Sequence, residues 1–188
     1  TNGTFQFESA GMQKHLKNLK PTNIEDLIAM NALYRPGPMQ FIDLFVSRKR
    51  GDVAVEYPHE LLKDILENTY GIMVYQEQIM QAAQIMAGYS LGEADILRRA
   101  MGKKKMDVMQ EQKVKFVEGA EKIHGVEKKN SEKVFDIMLK FAEYGFNRSH
   151  SAAYSVVAFQ TGYLKANYPA EYMAAVLTNN MNDIKKVT

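Results

Sequence analysis

The sequence predicts a mainly α-helical fold, an irregular multi-helix domain with at most one or two short strands. Apolar residues recur at spacings of three and four along most of the chain, which is the period of a helix with one buried face. Glycine and proline separate these segments, and two segments begin with Ser or Thr three positions before Glu, the pattern of a capping box. Together these observations argue against an extensive sheet.

The amino-terminal part is expected to contain an extended lead-in and two helices. Residues 1–8 show no helical period, and the first helix should run from Ser9 to the break at Pro21. Thr22 and Glu25 form the first capping-box pattern, so the second helix should begin there.

Proline and glycine define the next two helices. Residues 35–38, Arg-Pro-Gly-Pro, predict a rigid turn, and Pro38 can serve as the first residue of a third helix that ends at the basic run 48–50. Pro58 should open a fourth helix, which closes at residues 68–71.

The middle of the chain combines one β-like run with two helices. Residues 72–75, Ile-Met-Val-Tyr, form an apolar run in which three of the four residues are β-branched or aromatic, as in a short strand. A helix should follow over residues 76–87, and the second capping box, Ser90 with Glu93, should start another that ends at Gly102.

Helical patterns continue to the carboxyl end. One long helix is expected over residues 106–123, and Ser131 should cap the next. Ser149 or Ser151 can cap a further helix, and Pro169 should start the last.

The composition is typical of one folded domain or two small ones, since 46% of the 188 residues are hydrophobic. The absence of cysteine excludes disulfides and thiolate metal sites. No leader pattern or apolar stretch near the roughly 20 residues of a membrane helix is present, so we expect a soluble protein, and the lack of cysteine permits a reducing cytosol. With a net charge of +2, any affinity for nucleic acid depends on local clusters of Lys and Arg.

The densest cluster of positive charge is a candidate phosphate site. It comprises Arg98, Arg99, Lys103, Lys104 and Lys105, on both sides of a glycine between two helices. Arginine offers a planar fork to phosphate oxygens and lysine a mobile point charge, so the group suits a triphosphate or a nucleic-acid backbone. The alternative is a solvated surface whose cations favour the carboxyl end of a helix.

A second candidate lies at a helix amino terminus. Asn147, Arg148, Ser149 and His150 place amide, guanidinium, hydroxyl and imidazole groups where backbone N–H groups attract anions. The alternative is that these residues only cap the helix.

Aromatic and amide side chains form a third candidate, and catalytic motifs are missing. Tyr75 offers a ring for base stacking, and Gln76 and Gln78 offer amides for hydrogen bonds to DNA or nucleotide, although simple packing also accounts for them. We find no metal-binding spacing and no catalytic residue. His59 and Glu60 stand at a helix start, where capping explains them.

Several ordered blocks of sequence resemble the bacterial DNA polymerase III alpha subunit family. The resemblance covers essentially the whole chain, with one departure: the family pattern usually has Lys where this chain has Arg148. The blocks are FQFES at 5–9, ALYRPGPM at 32–39, VYQEQ at 74–78, GYSLGEAD at 88–95, RRAMGKKK at 98–105, YGFNRSHSAAY at 144–154 and YPAEYM at 168–173.

The resemblance implies the fingers region of a DNA-directed DNA polymerase. Residues 1–20 would connect the palm to the fingers, and residues 21–188 would form the helical fingers domain. Arg98 and Arg99 would contact the phosphates of the incoming dNTP, with Lys103 and His150 as weaker contacts, so that the two basic segments converge. The remaining cations and polar groups of the three candidates would contact DNA or nucleotide.

The resemblance also implies what lies outside this chain. The family's Mg²⁺ is held by palm aspartates upstream of the first block, so the chain should bind no metal and be inactive by itself. Its partners would be template-primer DNA, dNTP, the other alpha-subunit domains and further replisome subunits, with no membrane. The alternatives are a stand-alone helical module that binds nucleic acid without catalysis, or basic residues that serve solubility alone.

Overall fold

The computed structural model describes residues 3–103, 106–142 and 144–183, and this part of the chain is mainly helical, as predicted. Three short 3₁₀ helices, Pro38–Phe41, Glu60–Leu62 and Glu67–Thr69, accompany the α-helices. The α-helices are α1 (Ala10–Leu19), α2 (Ile24–Leu33), α3 (Ile42–Arg50), α4 (Lys63–Leu66), α5 (Gln76–Ala87), α6 (Leu91–Gly102), α7 (Met106–His124), α8 (Lys128–Ala142), α9 (Arg148–Asn167) and α10 (Pro169–Asn179).

The helices form two compact units. The terminal unit comprises Thr1–Asn31 and Ser149–Thr188, and the central unit comprises Ala32–Arg148. The functional boundary expected at residue 20 is a separate matter and stays a prediction.

The core of the central unit lies where α5 packs against α6 and α7, and α7 against α8. Burial of large apolar side chains from each of these helices supplies the main driving force for this packing. Phe116 and Phe135 are fully buried with ring centroids 5.5 Å apart. Other members of this core are Leu66, Met73, Ile79, Met86, Leu97, Met101 and Met138.

In the terminal unit, tertiary hydrogen bonds join the amino-terminal segment of the chain to the carboxyl-terminal segment. The buried Ser151 hydroxyl donates to the Ile28 carbonyl at 2.7 Å, and the Tyr172 hydroxyl donates to the Gly3 carbonyl. Many apolar side chains of α9 and α10 remain exposed, among them Val156, Val157, Phe159, Tyr163, Leu164, Met173 and Leu177.

Two helices begin one or two residues later than predicted. Asn23, rather than Thr22, caps α2, because its side chain accepts from the Asp26 backbone N–H at 3.0 Å. Asp26 in turn accepts from the Thr22 backbone N–H at 2.8 Å. The element expected from Pro58 begins as a 3₁₀ turn at Glu60, after the expected cap His59.

Two other helices begin earlier than their predicted serine caps. Helix α8 starts at Lys128, so Ser131 lies buried inside it and donates to the Lys128 carbonyl at 3.0 Å. Helix α9 starts at Arg148, so neither Ser149 nor Ser151 is its cap. Serine hydroxyls can bond to nearby carbonyls within a helix as well as to N–H groups at its start, so serine alone does not fix a boundary.

The predicted capping box at the start of α6 is confirmed. Ser90 Oγ accepts from the Glu93 backbone N–H at 3.3 Å, and the Glu93 carboxylate accepts from the Ser90 backbone N–H at 2.8 Å. Lys115 Nζ of α7 donates to the same carboxylate at 2.6 Å. These bonds, that of Lys115 foremost, lower the pKa of Glu93 to about 2.

Titration of Glu93 tests this arrangement. An NMR titration of this chain should give a carboxyl pKa of about 2. Because the ionised form accepts the bonds, their stabilisation is full above the ordinary pKa of about 4.3 and is lost as the pH falls through about 2. Lys115→Met should raise the pKa, and Lys128→Met should leave it unchanged. A pKa of Glu93 that is insensitive to Lys115→Met would contradict the assignment.

Glycine at position 119 allows α5 and α7 to approach closely. A Cβ atom at Gly119 would lie 2.4 Å from the Ala87 carbonyl oxygen, so Gly119→Ala should lower the free energy of unfolding by about 1–3 kcal/mol. Gly92 is the matched control, since it is also helical but no atom of the described residues lies within 4 Å of an added Cβ. Gly92→Ala should be neutral or stabilise by up to about 1 kcal/mol. Equal effects of the two substitutions in urea denaturation would refute the close approach.

Candidate functional site

The first turn of α5 organises the polar part of the central unit. Its residues, Gln76, Glu77 and Gln78, are consecutive, and each side chain bonds to a different segment of the chain. The three successive side chains point in different directions because residues in a helix are about 100° apart. The first turn of α5 therefore fixes the positions of several segments of the chain.

Gln78 is 5% exposed, and its amide is fully engaged inside the protein. Its Oε1 accepts from the backbone N–H groups of Val74 and Tyr75, at 2.8 and 3.0 Å. Its Nε2 donates to the Ile65 carbonyl at 3.0 Å and to Thr69 Oγ1 at 2.9 Å. The side chain therefore fixes the entry of the chain into α5, and no part of it is directed to solvent.

Gln76 joins α5 to the segment before α9. Its backbone N–H donates to the Phe146 carbonyl at 3.0 Å, and the Phe146 N–H donates to the Val74 carbonyl at 3.1 Å. The Gln76 side chain also donates to the Gly145 carbonyl at 3.0 Å. A Cβ atom at Gly145 would lie 3.1 Å from Gln76 Cγ, so the contact is close. Within the described residues, the β-like run at 72–75 pairs only through the parallel bridge of Tyr75 with Phe146.

Glu77 places a carboxylate at the amino terminus of α9. Its two oxygens accept from the Arg148 backbone N–H at 3.1 and 3.0 Å, and Oε1 also accepts from Asn147 Nδ2 at 2.9 Å. A negative charge is favourable there, because unpaired N–H groups and the helix dipole make the start of a helix positive. The helix start that the sequence offered as an anion site thus already has an internal anion on its first N–H.

The Arg-Pro-Gly-Pro turn packs against the same segment. Arg35 Nη2 donates to the Tyr144 carbonyl at 2.6 Å, and the guanidinium lies 4.3 Å from the centroid of the Phe146 ring. Burial lowers the pKa of Arg35. Gly37 has φ of 98°, and a Cβ there would lie 2.4 Å from the Tyr144 ring, so glycine is needed for both conformation and space.

Arg98, in the last turns of α6, is held on several sides. Its Nε and Nη2 donate to Asp95 Oδ1 at 3.0 and 2.8 Å, and its Nη1 donates to Gln76 Oε1 at 3.1 Å. The side chain is 27% exposed. Since each guanidinium nitrogen donates to a protein atom, the orientation of Arg98 is fixed before any ligand binds.

Among the contacts within the described residues, Arg99 is held through one nitrogen only. Its Nη2 lies 2.7 Å from Asp95 Oδ2, and its side chain is 67% exposed. Asp95 therefore contacts both arginines through separate oxygens, and these contacts, led by the hydrogen bonds from Arg98, lower the pKa of Asp95. Lys103 follows as the exposed carboxyl-terminal cap of α6, with its N–H donating to the Arg99 carbonyl at 3.1 Å.

Other predicted site residues differ in exposure. Tyr75 is 2% exposed, and the Arg148 guanidinium lies 5.9 Å from the centroid of its ring. Asn147, Arg148, Ser149 and His150 are exposed.

The predicted site residues fall into both compact units. Tyr75, Gln76, Gln78, Arg98, Arg99, Lys103, Asn147 and Arg148 belong to the central unit. Ser149 and His150 belong to the terminal unit, where the His150 and Tyr154 ring centroids are 4.3 Å apart. The expected convergence of the two basic segments stays a prediction, and Lys104 and Lys105 lie outside the described residues.

Sequence reasoning missed the two carboxylates that organise the site. Asp95 precedes Arg98 and Arg99 by three and four positions, a spacing that places acid and base on one helix face, so this signal was available. Glu77 acts on a helix more than seventy residues later in the chain, and no local pattern predicts that contact.

The described ranges contain neither a candidate metal cluster nor a candidate membrane-spanning helix. Residues 3–103, 106–142 and 144–183 contain no group of three or more His, Asp or Glu side chains arranged to hold a metal ion. In the same ranges, no helix combines the length and the apolar character that crossing a bilayer requires.

Comparison with known proteins defines the class of this helical domain as a polymerase finger domain. The family model for the bacterial DNA polymerase III alpha subunit finger domain matches residues 1–124. The chain therefore belongs to the finger-domain family of the bacterial DNA polymerase III alpha subunit.

Full-length relatives agree with this family. The DNA polymerase III subunit alpha of Treponema pallidum (strain Nichols) is 62% identical over 183 residues, covering 97% of this chain and 16% of the relative. That of Borreliella burgdorferi is 58% identical, covering 98% of this chain and 16% of the relative. That of Escherichia coli (strain K12) is 54% identical, covering all of this chain and 17% of the relative. The chain thus spans about a sixth of the length of these relatives.

Replacement of Gln78 tests whether its hydrogen bonds fix the entry of the chain into α5. Gln78→Leu leaves the N–H groups of Val74 and Tyr75 and the carbonyl of Ile65 without these bonds. Unfolding of this chain in urea should therefore require at least about 2 kcal/mol less free energy. The control Gln110→Leu, at an exposed position of α7, should change it by less than about 0.5 kcal/mol. Similar values for the two variants would refute the role given to Gln78.

Proposed function

We propose that this chain is the part of a DNA-directed DNA polymerase that binds the phosphates of the incoming dNTP and contacts template-primer DNA. The observation that carries the proposal is the pair of adjacent arginines on α6, one fixed and one exposed, in a finger domain. Arginine suits this role because its planar fork matches phosphate oxygens and its charge is constant across physiological pH.

The two arginines support different parts of this role. Arg99 is 67% exposed, and among the described residues its guanidinium is held only by Asp95, so a triphosphate could bind its N–H groups at the cost of a single exposed contact. Arg98 is held by Asp95 and Gln76, so its charge stays in place and adds to the local field. We therefore propose Arg99 as the main direct phosphate contact and Arg98 as its fixed neighbour.

Other polar residues are secondary in this proposal. Lys103, at the end of α6, and His150 are exposed and are weaker candidates for phosphate contact. Lys104, Lys105, Asn147, Arg148, Ser149 and Gln76 remain candidate contacts to DNA or nucleotide. Because Tyr75 and Gln78 are buried, we give them a supporting role beneath the site.

The chemistry proposed for these residues is positioning and charge neutralisation. Nucleotide addition is a phosphoryl-transfer reaction, in which fixed cations stabilise charge on the phosphate oxygens and align the reacting groups. We propose that Mg²⁺ in this polymerase is bound by aspartates outside this chain. The residues of this chain would then orient the triphosphate. The other alpha-subunit domains and further replisome subunits would be its protein partners, in the bacterial cytoplasm.

Substitution of the arginines in the full-length subunit tests the proposal. Arg99→Ala should raise the KM for dNTP by roughly tenfold or more, because a charge-assisted hydrogen bond to phosphate is lost. Arg98→Ala should also reduce kcat/KM. Lys128→Ala is the control, since it removes an equally positive, 74% exposed side chain from α8. If Arg99→Ala and Lys128→Ala have the same KM, the phosphate role is wrong.

A second measurement separates nucleotide contact from binding along a nucleic-acid backbone. Affinity of the full-length subunit for primer-template should be measured with and without the next dNTP, at several salt concentrations. Nucleotide contact predicts that Arg99→Ala removes most of the gain that dNTP gives. Pure backbone binding predicts a lower affinity without dNTP and a weaker salt dependence instead.

A further inference from the structure

Asp95 is the one described carboxylate that contacts both arginines of the candidate site. It lies one helical turn before them on α6, so all three groups share a helix face. Its Oδ1 accepts two hydrogen bonds from Arg98, and its Oδ2 lies 2.7 Å from Arg99 Nη2. Guanidinium groups bind carboxylate and phosphate oxygens through the same kind of charge-assisted hydrogen bond, so Asp95 and a phosphate group can compete for Arg99.

The two contacts differ in strength. The contact with Arg98 involves two donors on a side chain that Gln76 also holds, so breaking it costs several bonds together. The contact with Arg99 involves one nitrogen of an exposed side chain, and exposed ion pairs of this kind contribute little. The free-energy cost for an incoming anion to displace Asp95 from Arg99 would therefore be smaller than the cost to displace it from Arg98.

We propose that Asp95 is a positioning residue with two roles: it fixes Arg98, and it acts as an internal counter-ion that a triphosphate must displace from Arg99. The proposal rests on the proposed function, because it specifies how the same arginines receive the phosphates. Without nucleotide, the carboxylate neutralises part of the positive charge of the pair. With nucleotide, Arg99 exchanges one anionic partner for another while Arg98 keeps its place.

The exchange makes binding depend on the charge of the ligand. A weakly charged anion gains little by replacing a carboxylate that is already in contact with Arg99. A triphosphate carries more charge and more acceptor oxygens, so it can replace the carboxylate with a net gain. Asp95 would thus weaken all phosphate binding, and weaken it most for ligands of low charge.

Asparagine at position 95 separates the two roles. Its side-chain oxygen can accept the two hydrogen bonds from Arg98, whereas its NH₂ group would face Arg99, where donor meets donor. The opposite orientation keeps one bond and loses two, so it is disfavoured. Asp95→Asn therefore releases Arg99 and retains Arg98, while Asp95→Ala releases both.

Single-turnover incorporation by the full-length subunit tests the proposal, because it gives the Kd for dNTP and the maximal rate separately. Asp95→Asn should lower the Kd roughly twofold to fivefold, as expected for loss of one exposed ion pair, and should reduce the maximal rate less than Asp95→Ala does. Asp95→Ala should lower the maximal rate, because Arg98 also loses its orientation. Asp136→Asn is the matched control, since it removes a carboxylate that pairs with Lys113 and with neither arginine.

The double variant distinguishes the positioning role from a general effect of charge. Adding Arg99→Ala to Asp95→Asn should abolish the gain, so that the Kd equals that of Arg99→Ala alone. An unchanged or higher Kd in Asp95→Asn, beside a raised Kd in Arg99→Ala, would overturn this proposal and leave the proposed function standing. A gain of the same size in Asp136→Asn would also overturn it. A normal Kd in Arg99→Ala would overturn the proposed function itself, and this inference with it.

Discussion

The hydrogen bonding of the first turn of α5 is the constraint on which the polar contacts of the central unit depend. Gln78 satisfies the backbone just before the helix, and Gln76 and Glu77 hold the segment that leads into α9. Buried backbone groups are costly when unsatisfied, so these contacts leave the chain few alternatives. The apolar core holds α5, α6, α7 and α8 together. The hydrogen bonds of the first turn of α5 determine which loop segments pack next to that turn.

Two positive features of the candidate site already have an internal negative partner. Glu77 occupies the start of α9, and Asp95 contacts Arg98 and Arg99. Such pairing keeps side chains oriented without ligand, which reduces the ordering cost when a ligand binds.

The sequence predicts features that depend on neighbours along the chain and fails where distant segments decide. The ends of α5 and the capping box of α6 follow from local signals, and both agree with the structure. Ser131, and Ser151 as one of two alternatives, are predicted caps, and both predictions are wrong, because Ser131 bonds inside its own helix and Ser151 bonds to the distant Ile28. The two arginines stand out as a pair in the sequence, but the contact of Gln76 with one of them does not, because it joins two helices.

The short path from Gly145 through Gln76 to Arg98 has a consequence for sequence evolution. Gly145 touches neither arginine directly, yet a side chain there would press on Gln76, which holds Arg98. Positions 76, 98 and 145 are therefore not free to drift independently. In an alignment of finger domains, a change at one of these positions should be accompanied by compensating changes at the others, although Gly145 itself contacts neither arginine.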